Sequence, residues 1–164
     1  MARPFVLAAL AGYTDLPYRL ICRQLGAGYC CTEMMLDRQL LLPGKLRRRL
    51  VHVTDEDHPV AGQIIGNDPE VMGDAAEALC RTGFDVVDVN LACPARKVLR
   101  RGRGGALLAE PELAGKIVRA VTARSEAPVT VKLRMGYDED DTDAFWRITE
   151  AAFDAGVAAA CVHA

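Results

Sequence analysis

The chain contains no C-x-x-C pair. Its six cysteines stand at 22, 30, 31, 80, 93 and 161, a spacing that suits neither a zinc site nor a small disulfide scaffold. No metal is therefore expected, and free thiols point to a reducing, cytoplasmic compartment. No apolar run is long enough to cross a bilayer, so no membrane partner is expected either. Residues 5–11 are apolar, follow Arg3 and include Ala9, Leu10 and Ala11, the outline of a secretory leader. The run is short for one and a helix-start signal follows at once, so it is read as a strand. Gly-x-Gly-x-x-Gly is missing after that strand, which weakens a dinucleotide-binding reading. No low-complexity segment or linker marks a second domain. Charge of neither sign dominates: 20 Lys and Arg face 22 Asp and Glu, for a net charge of −2. Any contact with nucleic acid must come from local patches.

What is present is an ordinary α/β composition, 164 residues of which 51% are hydrophobic and 26% charged. That is enough chain for one core. Apolar runs at 4–9, 28–33, 59–65, 86–89, 128–133 and 157–163 read as strands. Helix signals alternate with them. Thr14 or Asp15 caps a helix with Pro17 in its first turn, an apolar face of Leu16, Leu20, Ile21 and Leu25, and Gly26 at its end. A Leu-rich segment runs to Leu42, and Lys45–Leu50 is a short basic helix. Asp68 followed by Pro69 starts a helix that Gly83 closes; Pro111 opens the next, and Asp141 or Thr142 caps the last, which Gly156 terminates. Six β-α units in succession imply parallel strands with right-handed crossovers. Periodicity alone leaves an open doubly wound sheet and a (β/α)₈ barrel both standing.

The richest stretch is 86–108. A β-branched strand ends in Asn90, Cys93 and Pro94; five of the eight residues from 96 to 103 are basic; glycines follow at 102, 104 and 105. In parallel α/β proteins chemistry sits at the carboxyl ends of strands. Cysteine is usually a buried inert thiol, and Cys22, Cys80, Cys161 and the vicinal Cys30 and Cys31 are read that way. Cys93 is set apart by its Asn-x-x-Cys-Pro context. Lys132 lies among the apolar Val129, Val131 and Leu133, where a lysine is costly unless it is paired.

These residues resemble the tRNA-dihydrouridine synthase family. The match runs through Asn90 to Pro94, the basic Arg96 and Lys97, and Gly104 to Leu108. It continues in residues 7–15, Thr32-Glu33-Met34, Gln63 to Gly66 with Asp68-Pro69-Glu70, Lys132 to Gly136, and Val162-His163. Where the family opens with Pro-Met, this chain has Ala9-Leu10. The resemblance implies a TIM (β/α)₈ barrel, truncated here to about six β/α units, so that residues 1–164 form a partial FMN-binding catalytic domain. The remaining barrel strands and a helical tRNA-binding domain are expected to be absent, leaving the flavin phosphate without its usual loops and the open barrel prone to self-association. It further implies reduction of uridine to 5,6-dihydrouridine in tRNA, with NADPH reducing FMN. Cys93 would then be the general acid at C5 of uracil. Gln63, Lys132 and His163, with Ala9, Leu10 and Ala11, would bind the flavin. Asn90 would hold the uracil edge, with Arg134, Arg100, Arg101 and Arg103 on the substrate side. By the same resemblance this piece alone would be inactive. Two alternatives remain: another FMN barrel of pyrimidine metabolism, similar to dihydroorotate dehydrogenase, or a non-catalytic remnant that binds RNA or a partner chain.

Overall fold

A computed structural model describes residues 5–136 and 142–163. Seven parallel strands form a curved half-barrel sheet: β1 (Val6–Leu7), β2 (Tyr29–Cys31), β3 (Met35–Leu36), β4 (Val60–Ile65), β5 (Val86–Leu91), β6 (Val129–Arg134) and β7 (Ala159–His163). Their order is β1-β2-β4-β5-β6-β7, with β3 beside β4 next to β2. Helices follow the strands: α1 (Leu16–Gln24), α2 (Asp37–Leu41), α3 (Lys45–Leu50), α4 (Pro69–Cys80), α5 (Arg96–Leu99), α6 (Pro111–Arg124) and α7 (Asp143–Asp154). The half-barrel sheet makes this part of a TIM barrel rather than an open doubly wound fold, a distinction that sequence period does not carry.

The strand sequences explain their faces. In β6, Val129, Val131 and Leu133 are buried while Thr130, Lys132 and Arg134 are half-buried, the period of two that separates a helix-covered face from a concave one. β4 sits mid-sheet and is buried along its whole length. Against the covered face, α6 contributes Ala114, Ile117, Val118 and Val121 at helical spacing. Met72, Ala75, Ala76 and Leu79 of α4 join the same core. Asp15 caps α1 by accepting from the Tyr18 N–H, and the Asp68 side chain accepts from the N–H groups of Glu70 and Val71 at the start of α4.

Several expectations are modified. The Leu-rich segment after β2 contains the two-residue strand β3 before its helix. The basic loop folds as one helical turn, α5, followed by a 3-10 segment, Gly104–Ala109. The side of α1 that packs inward carries Arg19, whereas Ile21 and Leu25 are 54% and 84% exposed. Arg19 is drawn in by Asp57, whose carboxylate accepts from its guanidinium at 2.6–3.1 Å. Cys30 and Cys31 are core residues, but Cys161 is exposed on β7. Thr142 makes no capping hydrogen bond; Pro4 and Asp141, named above as a strand start and a cap, lie outside the described residues. Among those residues no helix is long and apolar enough to cross a membrane.

Candidate active site

The concave face of the sheet is a trough of about 600 Å³, walled by β1, β2 and β4 on one side and by β5, β6 and β7 on the other. Ala8, Ala9, Ala159 and Cys161 give much of its surface an apolar character, and Gln63, Asp88, Thr130 and Lys132 supply its polar groups. Its lining reaches down to Val86, Pro128 and Ala158 at the starts of β5, β6 and β7, so its lower part is half-barrel interior, the region that side chains fill in a closed barrel, and its carboxyl end is the part where barrels place chemistry.

Register stacks these residues in rows across the trough. Gln63, Asp88, Thr130 and Ala159 are successive partners from β4 to β7. One layer nearer the carboxyl ends, Asn90, Lys132 and Cys161 pair across β5, β6 and β7. Arg134 and His163 pair above them, Arg134 half-buried and His163 exposed. Lys132 is half-buried, and its side chain makes no hydrogen bond among the described residues. The sheet thus brings Gln63, Asn90, Lys132, Arg134 and His163 to one face and one end.

A chain of hydrogen bonds runs along the floor. Thr130 Oγ1 donates to Asp88 Oδ1 at 2.5 Å, and Gln63 Nε2 donates to Asp88 Oδ2 at 2.7 Å. Asn90 Nδ2 donates to Gln63 Oε1 at 2.7 Å. The Asn90 Oδ1 then accepts from the backbone N–H groups of Ala92 and Cys93 at 3.1 and 3.0 Å. This is an Asx-type turn: a side-chain carbonyl replaces the lost strand partner and bends the chain where β5 ends. Burial pushes the Asp88 carboxyl up, against the opposing pull of Thr130, Gln63 and the Lys132 charge.

Cys93 is half-buried on that turn. Its carbonyl accepts from the Gly105 N–H at 3.1 Å, so the glycine segment folds back over it. Gly104 has φ of 56°, and a Cβ there would stand 3.0 Å from the Cys93 Cβ and 3.1 Å from its oxygen. A glycine at this position satisfies both the left-handed backbone and the close approach.

The remaining candidates divide. After β1, Ala9 is half-buried at the trough while Leu10 and Ala11 are exposed. The Leu10 N–H donates to Thr14 Oγ1, and the Leu10 carbonyl accepts the N–H groups of Tyr13 and Thr14, so the segment turns sharply into α1. Arg100 and Arg101 are exposed on the turn that follows α5, whereas Arg103 is half-buried with its Nε buried and unpartnered. Arg103 acts electrostatically on the buried Asp37, whose carboxyl burial holds above the usual range. The Asn67 side chain donates to the Arg101 carbonyl at 3.0 Å, docking the basic turn on the loop after β4. No group of three or more metal-ligating side chains is found among the described residues.

Asp88 and Thr130 carry no motif signal of their own. Asp88 stands inside a valine run, and the one available cue is a carboxylate at an interior strand position, where charge is rare unless it is paired.

Known proteins are similar to this chain over nearly all of its length. The chain is 41% identical over 159 residues to tRNA-dihydrouridine synthase B of Pseudomonas syringae pv. tomato, covering 96% of this chain and 47% of that protein. It is 37% identical over 164 residues to tRNA-dihydrouridine synthase B of Xanthomonas axonopodis pv. citri, covering 99% of this chain and 49% of that one. The chain therefore spans about half the length of these curated relatives. Among solved structures, the carboxyl transferase domain of Rhizobium etli pyruvate carboxylase superposes with a TM-score of 0.58 at 16% identity, over 95% of this chain and 26% of that one, a likeness of fold alone. The dihydrouridine synthase (Dus) family model matches residues 6–164, the whole span from β1 through the Cys93 turn to β7, and on that match the chain belongs to the dihydrouridine synthase family.

Proposed function

We propose that this chain carries the catalytic face of a flavin-dependent enzyme that reduces uridine to 5,6-dihydrouridine in tRNA, with NADPH as the electron source. The observation that carries the reading is the Cys93 turn, fixed by Asn90 at the carboxyl end of β5 and joined through Gln63 to the floor of an apolar trough. Family membership and the names of the relatives support it.

The residues present suit a flavin ring. The carboxyl end of the trough, where barrels place chemistry, carries Gln63 and the half-buried Lys132, whose side-chain cation has no hydrogen-bonding partner among the described residues. Gln63 and Lys132 would bound the ring, His163 would lie at its edge, and residues 9–11 would contribute main-chain and packing contacts. FMN, when bound and reduced by NADPH, supplies a hydride for C6 of the uracil. Cys93 donates the thiol proton to C5, so that the C5–C6 double bond gains one hydride and one proton while the sulfur is left as thiolate. Asn90 holds the uracil edge, and Arg134 lies on the substrate side. A base reaching this trough must leave its stack in folded tRNA, and the exposed Arg100 and Arg101 would anchor phosphates beside it.

The test is reconstitution of the protein at its full encoded length with FMN, NADPH and unmodified tRNA. NADPH oxidation that depends on tRNA, with dihydrouridine appearing in the RNA, is the expected result. NADPH oxidation that depends instead on a free pyrimidine, or a protein that neither binds flavin nor turns over, would overturn the proposal. The 164-residue piece by itself is expected to retain little FMN and to self-associate. Phe5 and Val6 at one edge of the sheet and Val162 at the other are 74%, 57% and 46% exposed, and apolar surface of this kind associates. Size-exclusion chromatography with flavin absorbance reads both.

A further inference from the structure

We infer that Asp88 is a positioning residue for Cys93: its carboxylate holds the Gln63 side-chain amide, which braces Asn90 and, through Asn90, the turn that presents the thiol. The inference rests on the proposed role of Cys93, but the hydrogen-bond chain behind it does not.

Both Asp88 oxygens accept, one from Gln63 Nε2 and the other from Thr130 Oγ1, whereas the side-chain amides of Gln and Asn both donate and accept. With Asp88 fixed at one end, polarity propagates in one direction. Gln63 must turn Nε2 toward Asp88, which leaves Oε1 for Asn90. Asn90 must then turn Nδ2 toward Gln63, which leaves Oδ1 for the N–H groups of Ala92 and Cys93. Reversing any amide would set donor against donor or acceptor against acceptor at the next link. The backbone N–H groups of Ala92 and Cys93 can only donate and fix the Asn90 amide from the other end, so without the Asp88 acceptor Gln63 loses the partner that holds it, and Asn90 loses a braced neighbour beneath the Cys93 turn.

Asp88 is a poor choice for a purely structural position. It is 7% exposed between Val87 and Val89, both at 0%, in a strand where an apolar residue would pack without desolvating a charge. Thr130 saturates its second oxygen, so the carboxylate is held from both sides rather than left to rotate. Leu91 and Val89 make β5 a core strand; Asp88 and Asn90 between them make its other face a relay.

The test uses Asp88→Leu in the protein at its full encoded length, with amide hydrogen exchange resolved to single residues and neither cofactor nor tRNA present. Leu offers no acceptor to Gln63, whereas Asp88→Asn can turn Oδ1 to Gln63 and Nδ2 to the Thr130 hydroxyl and serves as the conservative variant. The expected result for Asp88→Leu is exchange at Cys93 and Ala92 faster by about tenfold, the worth of one net hydrogen bond, with Val131 and Leu133 unchanged, and exchange close to the unsubstituted protein in Asp88→Asn. Asp88→Ala should give the same local pattern as Asp88→Leu where it folds. Unchanged exchange at Cys93 in Asp88→Leu, or acceleration by one common factor across β4, β5 and β6, would overturn the inference. In the tRNA assay Asp88→Leu should lower kcat with KM for tRNA unchanged, and Asp88→Asn should restore it. Absence of dihydrouridine formation by the unsubstituted protein would instead count against the proposed function, while the exchange result would still decide the role of Asp88.

Discussion

Strands β5 and β7 have similar apolar content and opposite surroundings. Val87, Val89 and Leu91 of β5 are 0–1% exposed, between β4 and β6 and beneath α4 and α6. On β7, Val162 is 46% exposed and Cys161 and His163 are exposed with it, and β6 is its one strand neighbour among the described residues. The same contrast separates the centre from the other flank. There β1 has β2 as its one strand neighbour among the described residues, and α1 leans on an ion pair more than on apolar packing. A β-branched run is enough to make a strand, but burial is conferred by neighbours on both sides and by a helix above. Polar groups that face inward at the centre are held by several partners, as Gln63, Asp88 and Asn90 are, whereas the side chains of Lys132 and His163 toward β7 make no hydrogen bond among the described residues.

Breaking the anchor of the amino-terminal flank should have the largest effect on stability. Asp57→Ala strands the Arg19 guanidinium, 3% exposed, with its carboxylate removed. Loss of one partner from a buried pair costs about 3–5 kcal/mol, measurable as a fall in the urea midpoint. A loss under about 1 kcal/mol would mean that α1 is held by packing after all. Truncation within the sheet sharpens the contrast directly. Ile64→Ala, at 0% exposure, should cost about 2–5 kcal/mol. Val162→Ala should stay within about 0.5 kcal/mol. Equal losses at the two positions would show that β7 is covered in solution.

Weaker effects are expected at the basic turn and below it. Neutralising the exposed Arg100 and Arg101 should lower tRNA affinity and reduce the salt slope by about 0.7–0.9 for each phosphate that is no longer neutralised. Arg103→Gln should change that slope less, because Arg103 is half-buried whereas Arg100 and Arg101 are exposed. An equal slope change from all three would return Arg103 to the phosphate-binding set. The smallest effect concerns Asp37 itself. Its carboxyl is held above the usual value by burial, so the folded state binds that proton more tightly than the unfolded state. The folded state is favoured by this group at low pH, and the advantage is lost as pH rises through the elevated folded value. Asp37→Asn should therefore gain in melting temperature relative to the unsubstituted protein as pH rises from acidic to neutral; a difference that stays constant over that range would contradict it.

The central strands, their caps at Asp15 and Asp68, and the Cys93 turn are legible in the sequence because each is local: a β-branched run, a cap one or two residues from a proline, a thiol followed by proline and glycines. The groups that are not legible depend on partners far along the chain. Arg19 and Asp57 are 38 residues apart, and Gln63 and Asp88 are 25 apart. No local pattern announces that a carboxylate in a valine strand will meet a glutamine from the next strand. The α1 face misleads for the same reason, since its apolar stripe implies burial that Asp57 gives to Arg19 instead. Arg103 reads as one of five cations on a loop until the fold half-buries it, with its Nε unpartnered and its charge felt at Asp37.

The most direct measurement of the central claim is Cys93→Ala in the protein at its full encoded length, with dihydrouridine in tRNA counted by mass spectrometry and bound flavin by absorbance. Removal of a general acid typically slows the chemical step about 10²–10⁴-fold. The account predicts a loss of that size, with flavin content and its reduction by NADPH unchanged, because the thiol acts on the uracil and not on the cofactor. Near-normal dihydrouridine formation by the Cys93→Ala protein would contradict it and remove the Cys93 turn from the reaction.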